Sequence, residues 1–98
     1  MMMVDQKHYP NLVGEIDMAG SRWEYTAIGN FEYDTLFVSV RLEKKVGRVW
    51  RMVAGPFQFH DGKLDRGEDQ AVTFSEDCMV RLEAAVIDAM HKNWPFDF

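Results

Sequence analysis

The sequence predicts an α+β fold in which an antiparallel β-sheet of four to five strands is followed by one C-terminal amphipathic helix. Two observations lead to this expectation. Over residues 35–42, alternate positions are apolar, with the two-residue period of a half-buried strand, and residues 48–54 can return beside them as a hairpin. After Ser75, apolar residues instead recur every three or four positions, as on one face of a helix. The 98 residues are enough for one hydrophobic core, so we expect a single domain spanning residues 1–98.

The N-terminal third contains an arm and two predicted strands. Residues 1–11 are expected to form a flexible arm, because their polarity is mixed and Tyr9-Pro10-Asn11 breaks regular structure. Residues 12–18 alternate weakly and predict a strand. Residues 22–28, rich in aromatic and β-branched side chains, predict a second strand that stops at Gly29-Asn30.

The strongest strand signal is Thr35–Leu42. One face of this strand is expected to lie in the core, with Leu36, Val38, Val40 and Leu42, and the other carries Phe37, Ser39 and Arg41. A polar connection over residues 43–47 then leads to a returning strand over residues 48–54, which predicts a hairpin. Gly55-Pro56 is expected to interrupt it, followed by a short strand over residues 57–60 and a loop over residues 61–70.

The helix has a clear beginning and end in the sequence. Ser75 is suited to the N-cap, with Glu76 and Asp77 in the first turn, where the helix dipole favours carboxylates. Pro95 makes continuation beyond the C-terminus unfavourable. The predicted apolar stripe consists of Met79, Leu82, Val86, Ala89 and Met90.

Two groups of aromatic residues lie outside the central hairpin. Trp23 and Tyr25 share one strand face; they either belong to the core, which we favour, or extend an exposed aromatic platform. The tail over residues 94–98 carries three aromatics. We expect it to pack within the molecule or to seal a homodimer, rather than to bind a ligand.

Composition argues against several classes of function. Cys78 is the single cysteine, so no intrachain disulfide is possible, and we expect a small buried hydrophobic residue there. His8, His60 and His91 lie far apart, and we predict no metal site and no cofactor. The protein is not expected to be an enzyme, because no phosphate-binding glycine loop, nucleophile motif or spaced carboxylate pair is present.

The sequence also contains no membrane signal. No window approaches the roughly 18 consecutive apolar residues of a membrane-spanning helix. Residues 1–6 lack the pattern of a signal peptide. We therefore expect a cytoplasmic protein with no membrane partner.

Positive charge is concentrated in one short block. The net charge is −5, yet residues 41–52 hold five basic residues and one acidic residue. A strand pair that displays cations beside aromatic rings suits single-stranded nucleic acid, because cations meet phosphates and unpaired bases stack on the rings. The alternative is an ordinary solvated face whose lysines protect a sheet edge. The candidate nucleic-acid-binding residues are Phe37, Ser39, Arg41, Lys44, Lys45, Arg48, Trp50 and Arg51.

Several runs in this region resemble a known family. These runs are Phe37-Val38-Ser39-Val40-Arg41, Asp61-Gly62-Lys63 and Val72-Thr73-Phe74-Ser75-Glu76-Asp77. Over roughly residues 26–92 the chain resembles the positive cofactor four family of transcriptional coactivators. The resemblance implies a four-stranded antiparallel sheet followed by one helix, in a homodimer that binds single-stranded DNA.

By this resemblance, Arg41, Lys44 and Lys45 would contact phosphate, and Trp50 would stack on a base. The chain departs from the family at two places. Gly67-Glu68-Asp69-Gln70 is acidic where the family is basic, and residues 1–25 have no counterpart.

Two functions of different class remain open. The first is a non-enzymatic module that binds single-stranded nucleic acid in transcription or replication. The second is a small regulator or inhibitor, of a phage or mobile-element type, whose acidic surface engages a basic host protein or mimics nucleic acid. The acidic flanks of the basic block favour the second function, and the block itself favours the first.

Overall fold

The computed structural model describes residues 9–32, 35–48, 51–60, 63–65 and 74–94. Over these ranges the chain forms a five-stranded antiparallel sheet followed by one helix, which confirms the predicted fold class. The strands lie side by side in sequence order: β1 Leu12–Met18, β2 Ser21–Glu32, β3 Thr35–Lys45, β4 Arg51–His60 and β5 Lys63–Asp65. Helix α1 spans Glu76–Asn93.

The sheet has an inner face, which is buried, and an outer face, which is exposed. On β3 the predicted alternation is confirmed, because Val38, Val40 and Leu42 are buried whereas Phe37 and Arg41 are exposed. Each strand contributes inner residues to one continuous core. Its buried members are Leu12, Met18, Trp23, Tyr25, Ala27, Val38, Val40, Leu42, Ala54, Phe57, Leu64, Phe74, Met79, Leu82, Val86, Met90 and Trp94.

Helix α1 covers the inner face of the curled sheet and contacts both of its edge strands, β1 and β5. Four members of the predicted stripe are buried, and Ala89 packs against them half-buried. The Ser75 side chain accepts a hydrogen bond from the Cys78 backbone N–H, as expected of an N-cap. The described residues contain no helix that is long and apolar enough to cross a membrane.

Strands β2 and β3 are both longer than their sequence patterns predict. Gly29 and Asn30 do not stop β2, because they pair with Val38 and Phe37 in a ladder that continues to Glu32. β3 continues past Leu42 to Lys45, since β4 pairs with it there. Cross-strand pairing thus overrides the local preference of glycine, asparagine and charged residues for turns.

The returning strand also differs from the prediction. Gly55-Pro56, joined by a cis peptide bond, lies within β4 as a bulge opposite Arg41, so β4 is one strand rather than two. Gly55 has a φ of +97°, and a Cβ added there would lie 2.8 Å from the Val40 carbonyl oxygen. Arg48 precedes this strand instead of belonging to it.

Two smaller expectations are also corrected. The short strand β5 lies inside the predicted loop 61–70, where it pairs with the end of β4. Cys78 is half-buried at the edge of the core rather than enclosed by it.

The described members of the two aromatic groups outside the hairpin lie in the core. Trp23 and Tyr25 are buried, so they do not extend an exposed platform. Trp94 is buried as well, and its indole N–H donates to the Pro10 carbonyl at 2.7 Å. Its ring meets that of Tyr9 edge-on, with 5.7 Å between centroids, so the described end of the predicted arm lies against the helix terminus. Residues 1–8 and 95–98 are outside the described residues.

Candidate nucleic-acid interface

The candidate residues do not all lie on one face. Five of them share the outer face: Phe37, Ser39, Arg41 and Lys45 on β3, and Arg51 on β4. Arg48 is exposed in the connection between these strands. Trp50 lies outside the described residues.

Lys44 lies on the opposite face from Arg41 and Lys45. The sequence predicts it in the connection after β3, but it is the penultimate residue of that strand and has the same orientation as Leu42. Its ammonium lies 5.1 Å from the centroid of the Trp23 ring and donates to Ser21 Oγ at 3.2 Å. Lys44 is half-buried, so it braces β3 against the start of β2.

Glu43 partly neutralises the basic block. Its carboxylate accepts hydrogen bonds from Arg41 Nη2 and from Arg51 Nη1, the latter at 3.3 Å, and its side chain is only 22% exposed. Lys45 and Arg48 form no ion pair with any described residue. Two of the cations are therefore held in place by Glu43, and two face solvent with no counter-charge from the described part of the chain.

A cleft opens where the two hairpins separate. The β2–β3 ladder ends at Glu24 and Glu43, although β2 starts three residues earlier and β3 continues for two more. Beyond this point, β2 stays paired with β1, and β3 stays paired with β4. We call the resulting space the hairpin cleft; its volume is about 510 Å³. Its lining residues are Glu15, Arg22, Trp23, Glu24, Glu43, Lys44, Lys45 and Arg51.

One wall of the hairpin cleft is braced by ion pairs of Arg22. Its Nε lies 3.1 Å from the Asp17 carboxylate, and its Nη1 lies 3.4 Å from that of Glu15. The hydrogen bond from Arg22 and then its charge lower the pKa of Asp17, and Asp17 in turn raises the pKa of Arg22. Both groups are exposed, so this brace orients the side chains more than it stabilises the fold.

Three glutamates on neighbouring strands form one row across the sheet. The row lies at the end of the hairpin cleft where β2 and β3 are last paired. Glu15 is paired in register with Glu24, and Glu24 with Glu43. Glu15 and Glu43 each pair with an arginine, but Glu24 makes no hydrogen bond or ion pair with a described residue. Among the described residues, no three acidic, histidine or cysteine side chains come together as a metal site.

The residues of the β1–β2 wall could not be assigned to the site from the sequence. Arg22 and Glu24 are about twenty positions from the basic block and carry no motif of their own. Trp23 is recognisable only as an aromatic strand residue, and its indole N–H has no acceptor among the described residues. Only the pairing of β2 with β3 brings these residues to the block.

Comparison of the chain with models of protein families, with curated protein sequences and with solved structures finds no match. The resemblance to the positive cofactor four family therefore stays a prediction from the runs given above. The sheet has five strands where that family has four, and β1 falls in the segment without a counterpart.

Proposed function

We propose that the protein binds single-stranded nucleic acid on the outer face of the β3–β4 arm, the hairpin formed by residues 41–45, 46–48 and 51–54. One observation carries the proposal: Lys45 and Arg51 are directly opposite each other on this face. Like charges at opposed positions of an antiparallel pair destabilise the sheet. Glu43 offsets this repulsion only in part, because it pairs with Arg51 but not with Lys45 and is shared with Arg41. A phosphate bound between the two cations would be attracted by both and would offset the repulsion between them.

Further cations extend this site in both directions. Arg48 is exposed in the connection beyond the pair, and Arg41 lies four positions back along β3. Neutralising several phosphates releases condensed counterions, which provides a driving force for binding even in a chain of net charge −5. The acidic remainder of the protein opposes this attraction, so we expect micromolar binding that is very sensitive to salt.

An exposed ring favours a single strand over a duplex. Phe37 is 49% exposed on the same face, eight residues along β3 from Lys45, roughly 26 Å in an extended strand. An unpaired base can stack on such a ring with a gain of about 1–3 kcal/mol. In a duplex the base faces are already stacked on one another, so this gain is lost.

Oligonucleotide binding at different salt concentrations tests the proposal. We expect fluorescence anisotropy to detect binding of a labelled thymine oligonucleotide at about 50 mM salt and a steep loss of affinity by about 200 mM. Lys45→Glu with Arg51→Glu should abolish binding. The matched control, Lys63→Glu with Lys92→Glu, makes the same change in net charge on exposed residues outside the arm and should retain most of it.

Two outcomes would contradict the proposal. The first is no binding by the wild-type protein at about 50 mM salt. The second is equal loss of binding in the arm variant and the control, since net charge rather than the β3–β4 arm would then govern the interaction.

The row of Glu15, Glu24 and Glu43 favours a second candidate, a regulator that binds a basic protein. Opposed carboxylates are unfavourable in the free sheet, and cationic side chains of a partner would relieve their repulsion. The same assay with a labelled lysine oligomer distinguishes the two functions. Binding of the lysine oligomer but not of the oligonucleotide would favour the regulator.

A further inference from the structure

We propose that the hairpin cleft selects bases that carry an exocyclic amino group, cytosine above all, through the free carboxylate of Glu24. This inference rests on the proposed function and names the sequence preference of the same site. Phosphates would lie on the cations of the β3–β4 arm, and one base would enter the cleft beside them.

The dimensions of the hairpin cleft suit this role. Its volume of about 510 Å³ lies within the range of pockets that enclose small ligands. Lys44 is fixed across it by Ser21 and the Trp23 ring, so the walls are held before any ligand binds. A site that is already formed loses little free energy in ordering its side chains.

The cations Lys45 and Arg51 and the row of carboxylates occupy different parts of the hairpin cleft. Lys45 and Arg51 lie beyond the end of the β2–β3 ladder, whereas the carboxylate row lies at its last pair. Because both groups line the same cleft, a nucleotide that places its phosphate on these cations can reach the carboxylates with its base. Of the three, only Glu24 has no arginine partner among the described residues.

An unpaired carboxylate beside a phosphate site needs a compensating interaction, because the two negative groups repel. A hydrogen bond donated by the base supplies it. Glutamate accepts such a bond from cytosine N4, whereas thymine has a carbonyl oxygen at that position and offers only its N3–H, between two carbonyl oxygens that the carboxylate repels. The free carboxylate therefore disfavours thymine and uracil more than it disfavours cytosine.

Two oligonucleotides of equal length test this inference, one of cytosine and one of thymine, at mildly alkaline pH. Their phosphate charge is the same, so the ratio of the two dissociation constants reports the base. We expect the cytosine oligonucleotide to bind roughly tenfold more tightly. Glu24→Gln should bring this ratio close to one while raising the affinity for thymine, because its amide can both accept and donate.

Glu15→Gln is the matched control. It removes the same charge from the neighbouring position of the same row, but Glu15 is already paired with Arg22. This variant should strengthen binding of both oligonucleotides and leave their ratio unchanged.

The outcomes separate this inference from the proposed function. Equal binding of the two oligonucleotides by the wild-type protein would overturn base selection and leave nucleic-acid binding intact. A cytosine preference that survives in Glu24→Gln would also overturn it. If neither oligonucleotide binds, the proposed function fails and the inference fails with it.

Discussion

At the scale of single residues, one missing Cβ atom shapes the core. Gly14 pairs with Tyr25, whose ring lies across it; a Cβ added to Gly14 would come within 2.4 Å of the Tyr25 hydroxyl oxygen. Tyr25 is buried, and this burial, followed by the charge of Asp88, raises the pKa of its hydroxyl. The strand pattern of β1 shows a glycine at this position but not the ring that requires it.

Gly14→Ala should therefore destabilise the protein by about 1–3 kcal/mol, because the buried ring has to shift. Without the clash, the same substitution would stabilise the protein by about 0.4–1 kcal/mol through the unfolded chain. Urea unfolding shows whether the substitution lowers or raises the free energy of unfolding. Val13→Ala, at the adjacent and 61% exposed position, serves as the control and should change stability by no more than about 0.5 kcal/mol.

At the scale of the element, the N-terminus of α1 combines capping with the chemistry of a thiol. Ser75 Oγ accepts a hydrogen bond from the Cys78 backbone N–H at 3.3 Å. A hydrogen bond from the Ser75 side chain is also the main cause that lowers the pKa of the Cys78 thiol. Both effects depend on the hydroxyl of Ser75, one as an acceptor and the other as a donor.

Substitutions at Ser75 should separate the two effects. Ser75→Ala should cost about 0.5–2 kcal/mol of stability and raise the pKa of Cys78. Ser75→Asp keeps the cap, and hence the stability, but raises the pKa of Cys78 further, since it replaces a donor with a negative charge. Urea unfolding measures the first quantity, and the pH dependence of thiol alkylation measures the second. A thiol titration that is identical in all three proteins would refute the proposed cause.

At the scale of the whole molecule, the helix joins the two edges of the curled sheet. α1 contacts β1 on one side and β5 on the other. The contact with β5 includes a hydrogen bond at 2.6 Å from the Leu64 backbone N–H to Glu83 Oε1. β5 has only three residues, so this bond adds to its short ladder with β4 and to the burial of Leu64.

Glu83→Ala should leave the Leu64 amide without its acceptor and cost about 1–3 kcal/mol. Glu83→Gln keeps an oxygen acceptor and should lose less than half of that amount. Hydrogen exchange at Leu64, read beside urea unfolding, locates the effect. We expect the Leu64 amide to exchange fast in Glu83→Ala but not in Glu83→Gln. If it exchanges as slowly in Glu83→Ala as in the wild-type protein, Glu83 does not hold β5.

Features that are set by residues close together along the chain could be predicted from the sequence. The N-cap at Ser75, the apolar stripe of α1 and the two faces of β3 are all confirmed, because each is set by a period of 3.6 or 2 residues or by a hydrogen bond within one turn. The assignment of Arg41 and Phe37 to one exposed face follows in the same way. Local periodicity decides which side of an element a residue occupies.

Only the tertiary structure decided where the strands end and which side chains meet. Lys44 lies beside Trp23 of β2, and Glu43 binds Arg51 of β4, because β3 continues as a strand beyond its apolar pattern. The hairpin cleft exists because β2 and β3 separate after one particular pair. Register and separation depend on contacts between distant parts of the chain, and for that reason the basic block was visible in the sequence whereas its approach to Glu15 and Glu24 was not.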